Sequence, residues 1–185
     1  MKKLYHGTIS LFDEIDLAAG RGYKDFGKGF YATAVEKHAE RMALRNREIW
    51  IKRQKALKAK NPSLKMQPAI AYRYNLVYNE NTEGLAVKRF LTADTEWLRF
   101  IVANRKSRVS AHEYDIVIGP TADAQTTMII NEYMEELEAS GFADDVCGKV
   151  IAELMPENLP KQYFFGTEKA LTTLQFDKIK RQVIS

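Results

Sequence analysis

The segment Tyr23 to Thr33, Y-K-D-F-G-K-G-F-Y-A-T, limits what this chain can fold into more than any other. Two glycines separated by a lysine run straight into Phe30-Tyr31-Ala32-Thr33, where aromatic and small residues alternate as in a short strand. Gly27 and Gly29 permit positive φ and a close backbone approach, so the segment reads as a turn feeding a strand that can present one aromatic ring to a pocket. Two phosphate-binding patterns nearly fit. Gly22 to Gly29 reads G-x-x-x-x-G-K-G, but a P-loop needs Ser or Thr after the lysine and must open a helix. Gly27 to Ala32 fits G-x-G-x-x-A, which in a dinucleotide fold lies between a strand and a helix; here nothing strand-like precedes it. A plain glycine turn before a core strand is the competing reading.

At 185 residues and 45% hydrophobic composition, positions 1–185 suit one globular domain. No apolar run approaches the roughly 18 residues of a membrane span, and Met1-Lys2-Lys3-Leu4-Tyr5-His6 has no signal-peptide core. The expectation is a cytoplasmic protein without a membrane partner. One cysteine, Cys147, excludes an internal disulfide, and with only three histidines no metal is expected. Charge is uneven: Glu36 to Lys65 holds ten Lys or Arg against three Glu, and Asp123 to Glu157 holds nine Asp or Glu against Lys149 alone. The basic run is either a solvated helix face or a surface for nucleic acid or an acidic partner.

In chain order, Lys3 to Thr8 reads as a strand, and Ser10 to Ala19 as a connection packing down through Phe12, Ile15 and Leu17. Ala34 to about Lys60 is a long helix, with Ala39, Met42, Ala43, Ile49, Trp50, Ala56 and Leu57 toward the core. Pro68 to Tyr78 and Leu85 to Leu91 read as a hairpin around Glu80–Gly84. Asp94 or Thr92 caps a helix to Asn104 in which Trp97 is core. Tyr114 to Pro120 is a buried strand, and Ala124 to Ala139 and Asp144 to Leu154 are acidic helices, the second stopped by Pro156 and Pro160. Gln162 to Phe165 is an aromatic strand, Thr167 caps a short helix to Leu174, and Gln175-Phe176 adds a last strand. The interleaving is too irregular for a doubly wound parallel sheet, so the class is α+β.

His6 ends a strand, where its ring can donate to a ligand hydroxyl, and Gly7 after it exposes both N–H and C=O, a pair that suits an amide. A structural histidine with a backbone partner is the alternative. Taken together, Tyr5-His6-Gly7-Thr8, Lys24 to Thr33, Tyr114 to Pro120 and Gln162 to Leu171 resemble, in order and spacing, the His-Tyr-Glu branch of the ADP-ribosyltransferase superfamily. More narrowly they look like a bacterial family of unknown function assigned to it.

The resemblance implies a split β-sheet with flanking helices and a long basic helix, and a crevice binding NAD as co-substrate. By it, His6 would donate to the adenosine ribose, the Gly7 backbone would hold the nicotinamide carboxamide beside Thr8, and Tyr31 would stack on the nicotinamide ring. It implies an NAD-dependent mono-ADP-ribosyltransferase acting on a nucleic acid or protein, as a toxin or defence effector with an acidic neutralising protein as partner. Gln162 stands at the position expected of the catalytic glutamate. Glutamine can still bond a ribose hydroxyl, but it brings no charge and cannot act as a base. A silent domain that binds NAD, ADP-ribose or a partner is therefore the second reading. Glu168 either supplies the missing carboxylate or sits in the first turn of a helix behind Thr167. Arg21, Asp25 and Lys28 are candidates in the glycine loop, where a cation meets a pyrophosphate, or else solvated turn residues.

Overall fold

The structure is a computed structural model describing residues 1–155 and 159–185. Among them, seven strands of mixed parallel and antiparallel pairing and six α-helices make the chain α+β. No helix among the described residues is long and apolar enough to cross a membrane. Contacts divide the chain into two compact units, Met1–Ile15 with Ala32–Asn81 and Thr173–Ser185, and Asp16–Tyr31 with Thr82–Thr172.

In the first unit, β1 (Lys2–Thr8) pairs antiparallel with β3 (Ala71–Tyr78), from Lys2 opposite Tyr78 to Thr8 opposite Tyr72. Thr33, at the end of β2 (Phe30–Thr33), lies opposite Tyr5, and β7 (Leu174–Ile184) takes the outer edge of β3. The helix α1 (Glu36–Lys60) lies against β1 through Ala39 and Ala43, both buried. A β-carbon on Gly7 would stand 1.8 Å from the Ala39 carbonyl oxygen, so a glycine is what lets the helix come this close. On the opposite face, Phe12 stacks on Tyr74 at 4.0 Å, and the Tyr74 hydroxyl exchanges hydrogen bonds with the Phe12 backbone.

Three expectations change in this unit. Met42, Ile49 and Leu57 are exposed and not buried. The face of α1 that packs is narrow and carries Ala39, Ala43 and Gln54, leaving these three outside it. The expected hairpin between β3 and residues 85–91 does not form: β1 and β7 hold both edges of β3. The last strand reaches Ile184, far past Phe176. Its charged residues hid it, and they suit an edge strand that must not recruit other chains.

In the second unit, β4 (Val87–Arg89) runs parallel to β5 (Ile116–Pro120), and β5 runs antiparallel to β6 (Lys161–Phe165) with Gly119 opposite Gln162. Every residue of β5 is buried, as its unbroken apolar run requires. Around these strands lie α2 (Thr95–Arg105), α3 (Ala124–Glu132), α4 (Met134–Ala139), α5 (Asp144–Leu154) and α6 (Glu168–Leu171). The core gathers Phe26, Trp97, Leu98, Ile101, Val117, Val150 and Phe164. Trp97 is core as expected, its indole N–H donating to the Pro120 carbonyl at 2.9 Å.

The single helix expected over 124–139 is two. Its break is at Tyr133, whose N–H is shared by the carbonyls of Ile129 and Asn131 and whose hydroxyl bonds Glu153 of α5. The short helix expected to Leu174 ends at Leu171. Asp94 caps α2 and Thr167 caps α6, as their side chains suggest. Of the two prolines expected to stop α5, Pro156 lies outside the described residues; the helix ends at Leu154, and Met155 is left-handed with φ 47°.

Candidate active site

The glycine loop of the second unit is held on several sides before it enters β2. Tyr23 N–H donates to Ser107 O at 2.9 Å, and Lys28 N–H donates to Ser110 Oγ at 3.1 Å. Gly27 has φ 91° and packs so tightly on Ser110 that a β-carbon would stand 2.4 Å from its hydroxyl. Gly29 is needed differently: its φ is not positive, but a β-carbon there would meet the Phe164 ring at 2.5 Å. His112 completes the support. Its Nδ1 accepts from Tyr114 N–H at 3.0 Å, so Nε2 carries the proton and donates to Phe26 O at 2.9 Å.

Asp25 sits where three elements meet this loop, its side chain only 12% exposed. Oδ1 accepts from Arg105 Nε at 2.8 Å, and the Arg105 terminal nitrogen lies 2.7 Å away. Oδ2 accepts from Ala122 N–H and from Gln162 Nε2, each at 3.0 Å. Arg105 also donates to Thr127 Oγ1 and Ala122 O, so its planar fork is used on both sides.

Tyr31 belongs to the same cluster. Its hydroxyl donates to Gly27 O at 2.7 Å and accepts from Phe26 N–H at 3.1 Å, while its ring stands edge-on to Phe164 at 5.2 Å. Burial, and then the nearby Asp25 charge, hold its hydroxyl well above the ordinary tyrosine range, against smaller opposing effects of the Phe26 bond and Arg105. The phenol is therefore neutral and clamped.

The structure thus fastens both Tyr31 and Gln162 to the glycine loop, the first through Gly27 and Phe26 and the second through Asp25. Arg21 is exposed in the loop, and Lys28 is fixed there by its backbone. Glu168 is exposed in the first turn of α6 behind the Thr167 cap, as its helix-terminal reading implies. The cation that meets the loop is Arg105, which sequence reasoning missed. The signal was present: Arg105 continues the 97, 101, 105 spacing of the buried face of α2. Ser110 and His112 were missed because they lie in an irregular segment with no periodicity.

In the first unit, His6, Gly7 and Thr8 close β1. The His6 ring stands edge-on to Phe12 at 5.9 Å, and Thr8 Oγ1 accepts from Ser10 N–H at 3.1 Å. Gly7 is explained by the crossing of α1. This unit also contains a buried polar centre that was not anticipated. Arg73 of β3, 6% exposed, pairs with Glu36 and Glu40 of α1 and donates to Asn75 and Gln182.

Among the described residues, no group of three or more His, Cys, Asp and Glu side chains is placed to hold a metal ion. Residues 2–176 match a family model described as "Protein of unknown function (DUF3990)". The chain belongs to that family. No curated protein and no solved structure matches it. The DUF3990 match spans the YHGT motif, the glycine loop and Gln162, so the clamped loop and the end of β1 both fall inside the family's region.

Proposed function

We propose that this DUF3990 protein is an NAD-dependent mono-ADP-ribosyltransferase of the ADP-ribosyltransferase fold. The observation supporting it is that two residues the resemblance implicates are both fastened to the glycine loop, Tyr31 through Gly27 and Phe26 and Gln162 through Asp25. A neutral, fixed tyrosine ring suits stacking on the cationic nicotinamide. Gln162 suits a ribose hydroxyl, and Arg105 and Arg21 bring positive charge to the loop segment. The roles of His6, Gly7 and Thr8 toward the adenosine ribose and the carboxamide rest on the motif.

In this reading the bond between C1′ and the nicotinamide nitrogen breaks with its electron pair leaving on nicotinamide. C1′ then bonds the acceptor's nucleophilic atom, whose proton passes to solvent. The chain's share is positioning, since glutamine cannot take that proton. The exposed Lys52, Arg53, Lys55, Lys58 and Lys60 of α1 favour an acidic acceptor such as a polynucleotide, or an acidic neutralising protein.

Incubating the purified chain with NAD, alone and with total RNA or protein, tests the proposal. Nicotinamide release that is lost in His6→Ala and Tyr31→Ala supports the transferase, and dependence on one fraction names the acceptor class. Saturable NAD binding without release in any mixture would favour the second reading, a silent NAD-binding domain, which Gln162 itself recommends.

A further inference from the structure

We propose that Asp25 is a positioning residue that locks Gln162 with its amide nitrogen inward and its carbonyl oxygen outward, so that Gln162 meets a ribose hydroxyl as an acceptor. This rests on the transferase reading and deepens it. A carboxylate offers only acceptors, and Asp25 Oδ2 lies 3.0 Å from Gln162 Nε2. Turning the amide over would set two oxygens against each other with no proton between them. The alternative rotamer is thereby excluded by chemistry, not by packing. Oδ1 is committed to Arg105 and Oδ2 is shared with Ala122 N–H, so the carboxylate itself cannot swing away.

What remains is one unused group. Gln162 is half-buried, and among the described residues nothing donates to its Oε1. An outward carbonyl oxygen can accept from a hydroxyl as one oxygen of a glutamate would. The Asp25 charge behind it is paired with Arg105, so what the pair offers a ligand is an oriented acceptor and not a free charge. Donating Nε2–H to a carboxylate also polarises the amide and strengthens Oε1 as an acceptor. The glutamine, held by the aspartate, supplies the acceptor oxygen of the His-Tyr-Glu pattern, without its charge or its base.

Asparagine at position 25 reverses the arrangement. Arg105 requires an oxygen on its side, which turns the asparagine NH2 toward Gln162 and drives the glutamine to flip. Ala122 N–H then loses its acceptor, so thermal melting accompanies each variant. The first readout needs no variant beyond Gln162→Met for assignment: hydrogen exchange of the Gln162 side-chain amide in the nitrogen-15-labelled wild type. Slow exchange relative to exposed glutamines supports the lock. Free exchange overturns it, even where NAD binds.

The second readout is NAD affinity in a double-mutant cycle. Gln162→Met is expected to weaken binding about tenfold, Asp25→Asn severalfold, and the pair no more than Gln162→Met alone. Additive losses overturn the positioning role. A wild type with a protected Gln162 amide that binds no NAD overturns the ribose partner together with the transferase reading, and shows that the ligand class, not the lock, was wrong.

Discussion

Two buried polar centres, one in each unit, are built from the same kinds of residue and end differently. Around Arg73 the hub is a donor: its guanidinium is met by Glu36, Glu40, Gln182 and Asn75, and it lies 5.5 Å from the Tyr5 ring. Helix, central strand and edge strand each contribute an acceptor, so the centre is closed and ties α1 and β7 to β3. Around Asp25 the hub is an acceptor, met by Arg105, Ala122 and Gln162, and the glutamine keeps an unused oxygen. A closed centre holds a fold together. A centre with one open valence, on a clamped loop beside a neutral tyrosine, is what a ligand site requires.

The largest effect is expected from opening the closed centre. Arg73→Met removes the charge paired with Glu36 and Glu40, whose side chains are 49% and 30% exposed and can partly rehydrate. A loss of about 2–3 kcal/mol in urea unfolding follows, below the full cost of stranding buried charges. Adding Glu36→Gln and Glu40→Gln should restore most of it; no restoration would mean that packing, not charge, holds α1.

Gln162→Glu sharpens the comparison by placing a second carboxylate about 3 Å from Asp25. The two raise one another's affinity for a proton, so the folded pKa of the pair exceeds the unfolded value near 4.3. The penalty, about 1–2 kcal/mol, is full above the raised folded value, fades as pH falls through it and is gone below the unfolded value. Equal stability at pH 7 would contradict the contact. Tyr31→Phe strands Phe26 N–H and Gly27 O, and about 1 kcal/mol should be lost in the same assay. Because the ring remains, NAD affinity should stay near wild type.

The smallest effect is the pH dependence contributed by His112. Burial, outweighing the Phe26 bond, lowers its pKa in the folded protein. The unfolded chain then takes up the proton first, so stability falls as pH drops below about 6.5 and levels off beneath the lowered folded value. Protonating Nδ1 also ends its bond from Tyr114. His112→Gln should flatten this part of the profile; an unchanged slope would place the titration elsewhere.

Much of the architecture was legible because local signals were strong. Asp94 and Thr167 announced their helices, and Phe12, Ile15 and Leu17, expected to pack down, are half-buried. What failed was whatever depends on distant competition. Residues 85–91 look like the second half of a hairpin, but eleven-residue β7 offers β3 a longer ladder than three-residue β4 can. Met42, Ile49 and Leu57 have the spacing of a core face, but the face that packs is the one carrying Ala39, Ala43 and Gln54. At the candidate site, Tyr31, Asp25 and Gln162 were visible as residues. Their convergence was not, because 137 positions separate Asp25 from Gln162.

The most direct test of the transferase account is calorimetric titration of NAD into the purified protein, comparing wild type with Tyr31→Phe and Tyr31→Ala. The account requires saturable binding by wild type, near-equal binding by the phenylalanine variant, and a loss of about fivefold or more in the alanine variant, as expected for a stacked ring of about 1–2 kcal/mol. Absence of binding heat in the wild type, or equal affinity in Tyr31→Ala, would contradict it.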